Sequence, residues 1–275
     1  MLPGKSLLET CRPFLFLLLI SCAQNAHGST LLIYLSPREA VVASDGLINR
    51  IQGGPSRHGC KIVQVGESMF FAATGTGVFE EPLFDPYQLA REVGAAKHTP
   101  AEAAREYGRR AVAPLQKVWS ASRERYFENA RRNGLKRPYG PQDYVFIGVD
   151  PGRTLLAAGG SFVEDAKSGL LRPGRFVELK VEEGSEALFA KYGVYRDVPS
   201  ATEIGNLVQR VGSAEALKRA VEIQIAATPQ LVGPPVVVLV IRANGSFRWA
   251  IPGECDQASG TRPGPSSEPN APPSD

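Results

Sequence analysis

Four residues near the front of the chain have the types and spacing of a hydrolytic site: Ser29, Asp45, Lys61 and Gly75. A hydroxyl must lose its proton near neutral pH to attack an amide carbonyl. A terminal α-amine, with an ordinary pKa of about 7.7–8.0, suits that task better than a lysine at about 10.4. If the Gly28-Ser29 bond is cut, Ser29 carries nucleophile and base together. Its amine would take the Oγ proton directly or through a water and later pass it to the leaving amine. Lys61 would stand beside the hydroxyl, where a positive charge favours the alkoxide and holds the amine's proton affinity down by like-charge repulsion. Asp45 would pair with Lys61 and keep it oriented and charged. The backbone N–H of Gly75, at a strand end, would donate to the developing oxyanion, and the missing Cβ would leave room for a substrate carbonyl.

Taken singly, each residue has an ordinary explanation. Asp45-Gly46 is a turn, Lys61 a solvated strand start, Gly75 a punctuation between strand and helix, and Ser29 merely the first ordered residue. The joint spacing is what separates the two readings. It resembles the catalytic β-type subunits of the proteasome and the related bacterial ring proteases, members of the N-terminal nucleophile hydrolases. The match runs without a gap through Ser29-Thr30-Leu31-Leu32, Val41-Val42-Ala43-Ser44-Asp45-Gly46, Cys60-Lys61-Ile62 and Phe71-Ala72-Ala73-Thr74-Gly75.

The resemblance implies an α+β fold, a four-layer α-β-β-α sandwich of two antiparallel sheets. It also implies cleavage of an amide or peptide bond through an acyl-enzyme on Ser29, with no cofactor, and ring assembly of identical chains. Further along, Gly184-Ser185-Glu186-Ala187-Leu188-Phe189-Ala190, followed by Tyr192-Gly193-Val194, resembles the family's Gly-Ser motif. The serine of that motif contacts the terminal amine, a role that falls to Ser185. Gly159-Gly160-Ser161 is a second candidate, read rather as a strand end. The chain also departs from the family pattern. An Asp and a Ser that help to hold the amine are expected before the final hairpin, where Pro229 and Val232 stand here, and the family's usual terminal Thr is a Ser.

The elements that must position these residues are legible as apolar runs broken by turns. Thr30 to Leu35 and Ala40 to Ser44 flank Ser36-Pro37-Arg38-Glu39, predicting a buried hairpin; Lys61 to Val65 and Met69 to Ala73 predict a second. Thr99-Pro100-Ala101-Glu102 combines an N-cap, a first-turn proline and an acid three residues on. It opens a helix to about Arg131 that Pro114 should kink or divide. Tyr144 to Val149 and Thr154 to Ala158 pair around Asp150-Pro151-Gly152-Arg153, and Phe176 to Val181 is a further strand. Ser213 caps a segment with Leu217, Ala220, Val221 and Ile225 on one helical face. Val236 to Ile241 and Phe247 to Ile251 close the domain around Asn244-Gly245, a hairpin turn that also explains the glycosylation-like Asn244-Gly245-Ser246. This order by itself gives two antiparallel sheets covered by helices.

Residues 1–28 read as a secretory leader: Lys5 and Arg12, an apolar run from Phe14 to Ile20, then small and polar residues. The run is shorter than the roughly 20 residues a membrane-spanning helix needs. Ala26-His27-Gly28 places a signal-peptidase cut before Ser29. The alternatives are a lipoprotein box at Leu19-Ile20-Ser21-Cys22, which would anchor the chain by a lipid on Cys22, or a cut after Ala23. The expected location is therefore outside the cytoplasm, periplasmic or secreted, with the lipid anchor as the other branch. Without cytoplasmic ATP, no ATP-driven unfoldase is an expected partner, so a peptide substrate would arrive unfolded. One domain spans 29–252, and the Pro-, Ser- and Gly-rich stretch 253–275 is expected to be disordered.

A net charge of +3 points to no nucleic-acid partner. The arginines between Arg105 and Arg132 interleave with Glu106, Glu124 and Glu128, as on a solvated helix face. His27, His58 and His98 have no metal-binding spacing, so no metal is expected, and neither a Gly-x-Ser-x-Gly elbow nor a phosphate-binding loop occurs. Cys60 and Cys255 lie beyond the leader; they either pair in an oxidising compartment or remain two thiols, and the sequence leaves both open.

Overall fold

The computed structural model of the chain describes residues 29–48, 57–75, 84–132, 141–252 and 255. The predicted leader, with its competing cleavage sites, and almost all of the predicted tail lie outside them. Within the described residues sixteen elements follow in chain order. The strands are β1 (Thr30–Leu35), β2 (Glu39–Asp45), β3 (Leu47–Ile48), β4 (Arg57–His58), β5 (Ile62–Gln64) and β6 (Met69–Gly75), then β7 (Gln142–Val149), β8 (Leu155–Glu164), β9 (Leu171–Val181) and β10 (Leu188–Gly193), and finally β11 (Val236–Arg242) and β12 (Phe247–Ile251). The helices are α1 (Pro86–Ala96), α2 (Pro100–Arg132), α3 (Ala201–Val211) and α4 (Ser213–Ala227).

One sheet has the order β10-β1-β2-β11-β12 and the other β5-β6-β7-β8-β9; β3 and β4 form a small ribbon of their own. Every pairing in the two large sheets is antiparallel. Alternation along each strand explains how the layers stack. From β1, Leu31, Ile33 and Leu35 enter the core between the sheets while Leu32 enters the core under α3 and α4. From β6, Phe70 and Ala72 face the other sheet while Met69, Phe71 and Ala73 face α1 and α2. Because both faces are covered, the central strands read as unbroken apolar runs rather than as an alternation of apolar and polar residues. Full burial of such side chains contributes roughly 1.5–3 kcal/mol each. The result is a four-layer α-β-β-α sandwich, as expected.

Several local expectations need correction. Pro114 lies inside α2 but does not divide it, and the helix runs 33 residues with Thr99 Oγ1 accepting from the Glu102 N–H at 3.2 Å. Helix α1 was not predicted; Asp85 caps it, accepting from the N–H groups of Tyr87 and Gln88. Helix α3 was also missed, although Ser200 and Glu203 form a full capping box. Ser213 is the first residue of α4 rather than its cap, a position held by Gly212, and the Ser213 hydroxyl donates to Glu39 instead. Gly159 and Gly160 lie inside β8, not at its end. The arginine face of α2 is solvent-exposed, as expected, and is tied by surface ion pairs: Arg105 with Glu178, Arg110 with Glu92, Arg123 with Glu164. Cys255, assigned to the disordered tail, is buried and bonded to Cys60, which decides between the two readings of the cysteines.

Candidate active site

Ser29 precedes β1, Asp45 ends β2 and Lys61 precedes β5, so the site assembles where the two sheets meet at one end of the sandwich. The β1–β2 hairpin brings Leu31 opposite Ser44, which places Asp45 next to the start of β1. Lys61 Nζ donates to Ser29 Oγ at 2.9 Å and to both Asp45 oxygens at 2.9 Å. Asp45 also accepts from the backbone N–H groups of Thr30 at 2.7 Å, Leu47 at 3.2 Å and Gly233 at 3.3 Å. The carboxylate is wholly buried, so these donors replace the water it would otherwise hold.

Lys61 is 3% exposed. Burial pushes its ammonium below the ordinary lysine value, and the charge and hydrogen bonds of Asp45 pull it back toward that value. Removing either member of such a pair would strand the other in a dry site.

Ser29 is gripped from the other side by the end of β10. Thr30 lies opposite Gly193, and the N–H of the next residue, Val194, donates to the Ser29 carbonyl at 2.7 Å. The Thr30 hydroxyl donates to the Val194 carbonyl at 2.5 Å. Gly193 has φ +74, and a Cβ there would fall 2.0 Å from the Ser29 carbonyl oxygen and 3.2 Å from Thr74 Cβ. Only glycine permits this approach. Asp143, on β7, closes the arrangement: its Oδ2 accepts from Gly193 N–H at 3.2 Å and from Thr74 Oγ1 at 3.4 Å.

Of the five residues singled out from the sequence, Lys61 is hydrogen-bonded to both Ser29 and Asp45, and Gly75 stands at the same end, one residue past Thr74. The explanation for Gly75 changes, however. Its φ is +95 and a Cβ would come 2.5 Å from the Pro141 carbonyl, so the space beside it is filled by the chain itself. Ser185 is not part of the cluster. The register of β1 and β10 puts Leu188 opposite Leu35, so Ser185 lies beyond the far end of β1, roughly 20 Å from Ser29 at the usual rise per residue. The glycine that approaches Ser29 is Gly193, and a valine follows it. Val194, Leu231 and Val232 form a buried apolar cluster, so position 232, where a polar amine-holding group was expected, contributes an apolar side chain.

Sequence reasoning missed Thr30, Gly193 and Asp143. Tyr192-Gly193-Val194 was within the quoted motif, and its glycine was the available signal; Asp143 had none, since its place depends on pairing across both sheets. A groove of about 1110 Å³ opens at the Ser185 end, lined by Tyr34, Arg38, Glu39, Arg153 and Glu182 among others. Two of its three serines, Ser36 and Ser213, hydrogen-bond to Glu39 rather than to a lysine or histidine, so volume alone does not mark the reactive end. Among the described residues, no group of His, Cys, Asp and Glu side chains is arranged to hold a metal ion.

No protein-family model matches the chain, and no curated protein matches it. Among solved structures, it is similar to the Anbu (Gly-1) mutant from Hyphomicrobium sp. strain MC1, at 14% sequence identity and a TM-score of 0.46, over 80% of this chain and 85% of that one.

Proposed function

We propose that the chain is an exported amide or peptide hydrolase of the N-terminal nucleophile type, with Ser29 as the nucleophile once residues 1–28 are removed. The observation that carries this reading is the single Lys61 ammonium held between Ser29 Oγ and both oxygens of Asp45. A lysine beside a serine hydroxyl, with a buried carboxylate behind it, has no packing purpose that a neutral side chain would not serve at lower desolvation cost.

In the reaction the α-amine of Ser29 takes the Oγ proton as Oγ bonds to the substrate carbonyl carbon, and the π pair moves to oxygen. Lys61 stabilises the oxygen of Ser29 as it loses its proton, and the Gly75 N–H is assigned to the oxyanion. The resulting ammonium protonates the leaving amine as the C–N bond breaks, giving an ester on Ser29 that water hydrolyses by the same proton path in reverse. Export is supported by the leader-like sequence and by the Cys60–Cys255 bond, since disulfides persist in oxidising compartments.

The test is intact mass of the exported protein followed by labelling with a peptide β-lactone, which acylates Oγ. A chain starting at Ser29 that gains one adduct on that residue, with none in Ser29→Ala or Lys61→Ala, is the expected result. Equal labelling of all three, or a chain that keeps residues upstream of Ser29, overturns the mechanism. The apolar cluster of Val194, Leu231 and Val232 favours a second reading, a silent binding module of the same fold. A processed wild type that neither labels nor turns over amides would establish it.

A further inference from the structure

Asp143 is a carboxylate that the proposed mechanism does not use, and it stands one hydrogen bond from the residues that grip the nucleophile. Its strand neighbours Tyr144 and Gln142 face the helix layer, Tyr144 in the core under α2 and Gln142 as the acceptor of the Tyr107 hydroxyl at 2.9 Å. Alternation therefore turns Asp143 toward the other sheet. There its Oδ2 joins β6, through Thr74, to β10, through Gly193. It ties the two sheets together where Ser29 sits.

The surroundings are unusual for a carboxylate. The groups that face it are the Thr74 hydroxyl from β6 and the Gly193 N–H and Tyr192 phenol from β10. Among the described residues, no lysine or arginine is paired with it. Protein encloses it closely enough for desolvation to raise its pKa, against the pull of the two hydrogen bonds. A carboxylate enclosed without a paired cation is costly, and a positive group arriving nearby would be stabilised by it. The α-ammonium of Ser29, which forms during the acylation step, is such a group, and the position expected to hold it is taken by Val232, in an apolar cluster with Val194 and Leu231.

We propose that Asp143 is a positioning residue for the Ser29 nucleophile. It braces the Gly193–Val194 segment that grips the Ser29 carbonyl and supplies negative charge that stabilises the ammonium as it forms, when the neutral Ser29 amine takes the Oγ proton. This rests on the reading of Ser29 as a terminal nucleophile. The brace needs only an acceptor oxygen, whereas the second role needs the charge, so the two separate by substitution.

The experiment compares processed wild type, Asp143→Asn and Asp143→Ala for β-lactone labelling, resolved into a saturation constant and a maximal rate, together with thermal melting. Asp143→Asn keeps an acceptor and loses the charge. Its maximal labelling rate should fall about ten- to a hundredfold with the saturation constant unchanged, while its melting midpoint rises by about 2–4 °C as the desolvation cost disappears. Asp143→Ala, which loses the brace as well, should label more slowly still. A faster-melting but slower-reacting pair of variants would indicate a purely structural residue and overturn the proposal, as would Asp143→Asn labelling at the wild-type rate. Wild type that fails to label at Ser29 overturns the hydrolase reading itself, and this inference with it; that outcome is distinct because it appears before any variant is compared.

Discussion

The two ends of β1 use the same materials to opposite effect. At the Ser29 end, a hydroxyl, a carboxylate and an ammonium are buried together, with Asp45 wholly enclosed and Lys61 nearly so. At the other end, beyond Leu35, Ser36, Ser213 and Glu39 also form hydrogen bonds, but in a groove open to solvent. Water can replace any of those contacts, so they shape a loop without perturbing a proton. Around Lys61, burial lowers the ammonium pKa and Asp45 opposes that shift, so the proton affinity of the site is set by geometry. The buried cluster, not the open groove, is where surroundings change the proton affinity of a side chain.

The largest expected effect on that contrast comes from Lys61→Ala, which leaves the buried Asp45 carboxylate without its cation. It should destabilise the fold by about 3–5 kcal/mol in urea melts and abolish β-lactone labelling; a loss no larger than that of an exposed pair would erase the distinction between the ends. Next is Gly193→Ala. A left-handed backbone costs a non-glycine residue roughly 1–2 kcal/mol, and the new methyl would collide with the Ser29 carbonyl, so melting and labelling should both suffer; a normal labelling rate would show that the grip is dispensable.

A smaller effect concerns pH. Burial raises the folded-state pKa of Asp143 above its ordinary value, so the folded chain holds this proton where the unfolded chain has released it. Stability from this group is greatest below the unfolded value, near 3.9, and is lost as pH rises through the folded value, with a slope of at most about 1.4 kcal/mol per pH unit. Asp143→Asn should lack that slope, which melts taken across the acidic range will show. Smallest of all, Ser185→Ala at the open end should change stability by less than about 0.5 kcal/mol and leave labelling unaltered. A labelling defect there would return Ser185 to the site and contradict the register of β1 and β10.

What the sequence disclosed followed from how local each feature is. Ser29 and Asp45 flank one hairpin joined by a short turn, so their spacing translates almost directly into proximity, and Lys61 follows at the start of β5 in the facing sheet. The final hairpin was equally plain, because Asn244-Gly245 dictates its turn and Gly245 adopts φ +86. Helix α1 escaped notice because its signal is one Asp-Pro pair, and α3 because Ser200 and Glu203 follow a stretch with no clear periodicity. The Ser185 assignment failed for a different reason. A Gly-Ser pair occurs just before β10 and a glycine of the right conformation just at its end, and only strand pairing tells which of the two reaches Ser29. Asp143 was invisible for the same reason.

The bond from Cys60 to Cys255 spans a sequence separation of 195, making most of the domain a covalent ring. In the chain-entropy view, a closure of this length stabilises the fold by about 5 kcal/mol. Lys61 is the first residue inside that ring, whereas Ser29 and Asp45 lie on the free arm outside it. A protease trimming the arm back to Ser29 could therefore create a new terminus without opening the circle that anchors the lysine.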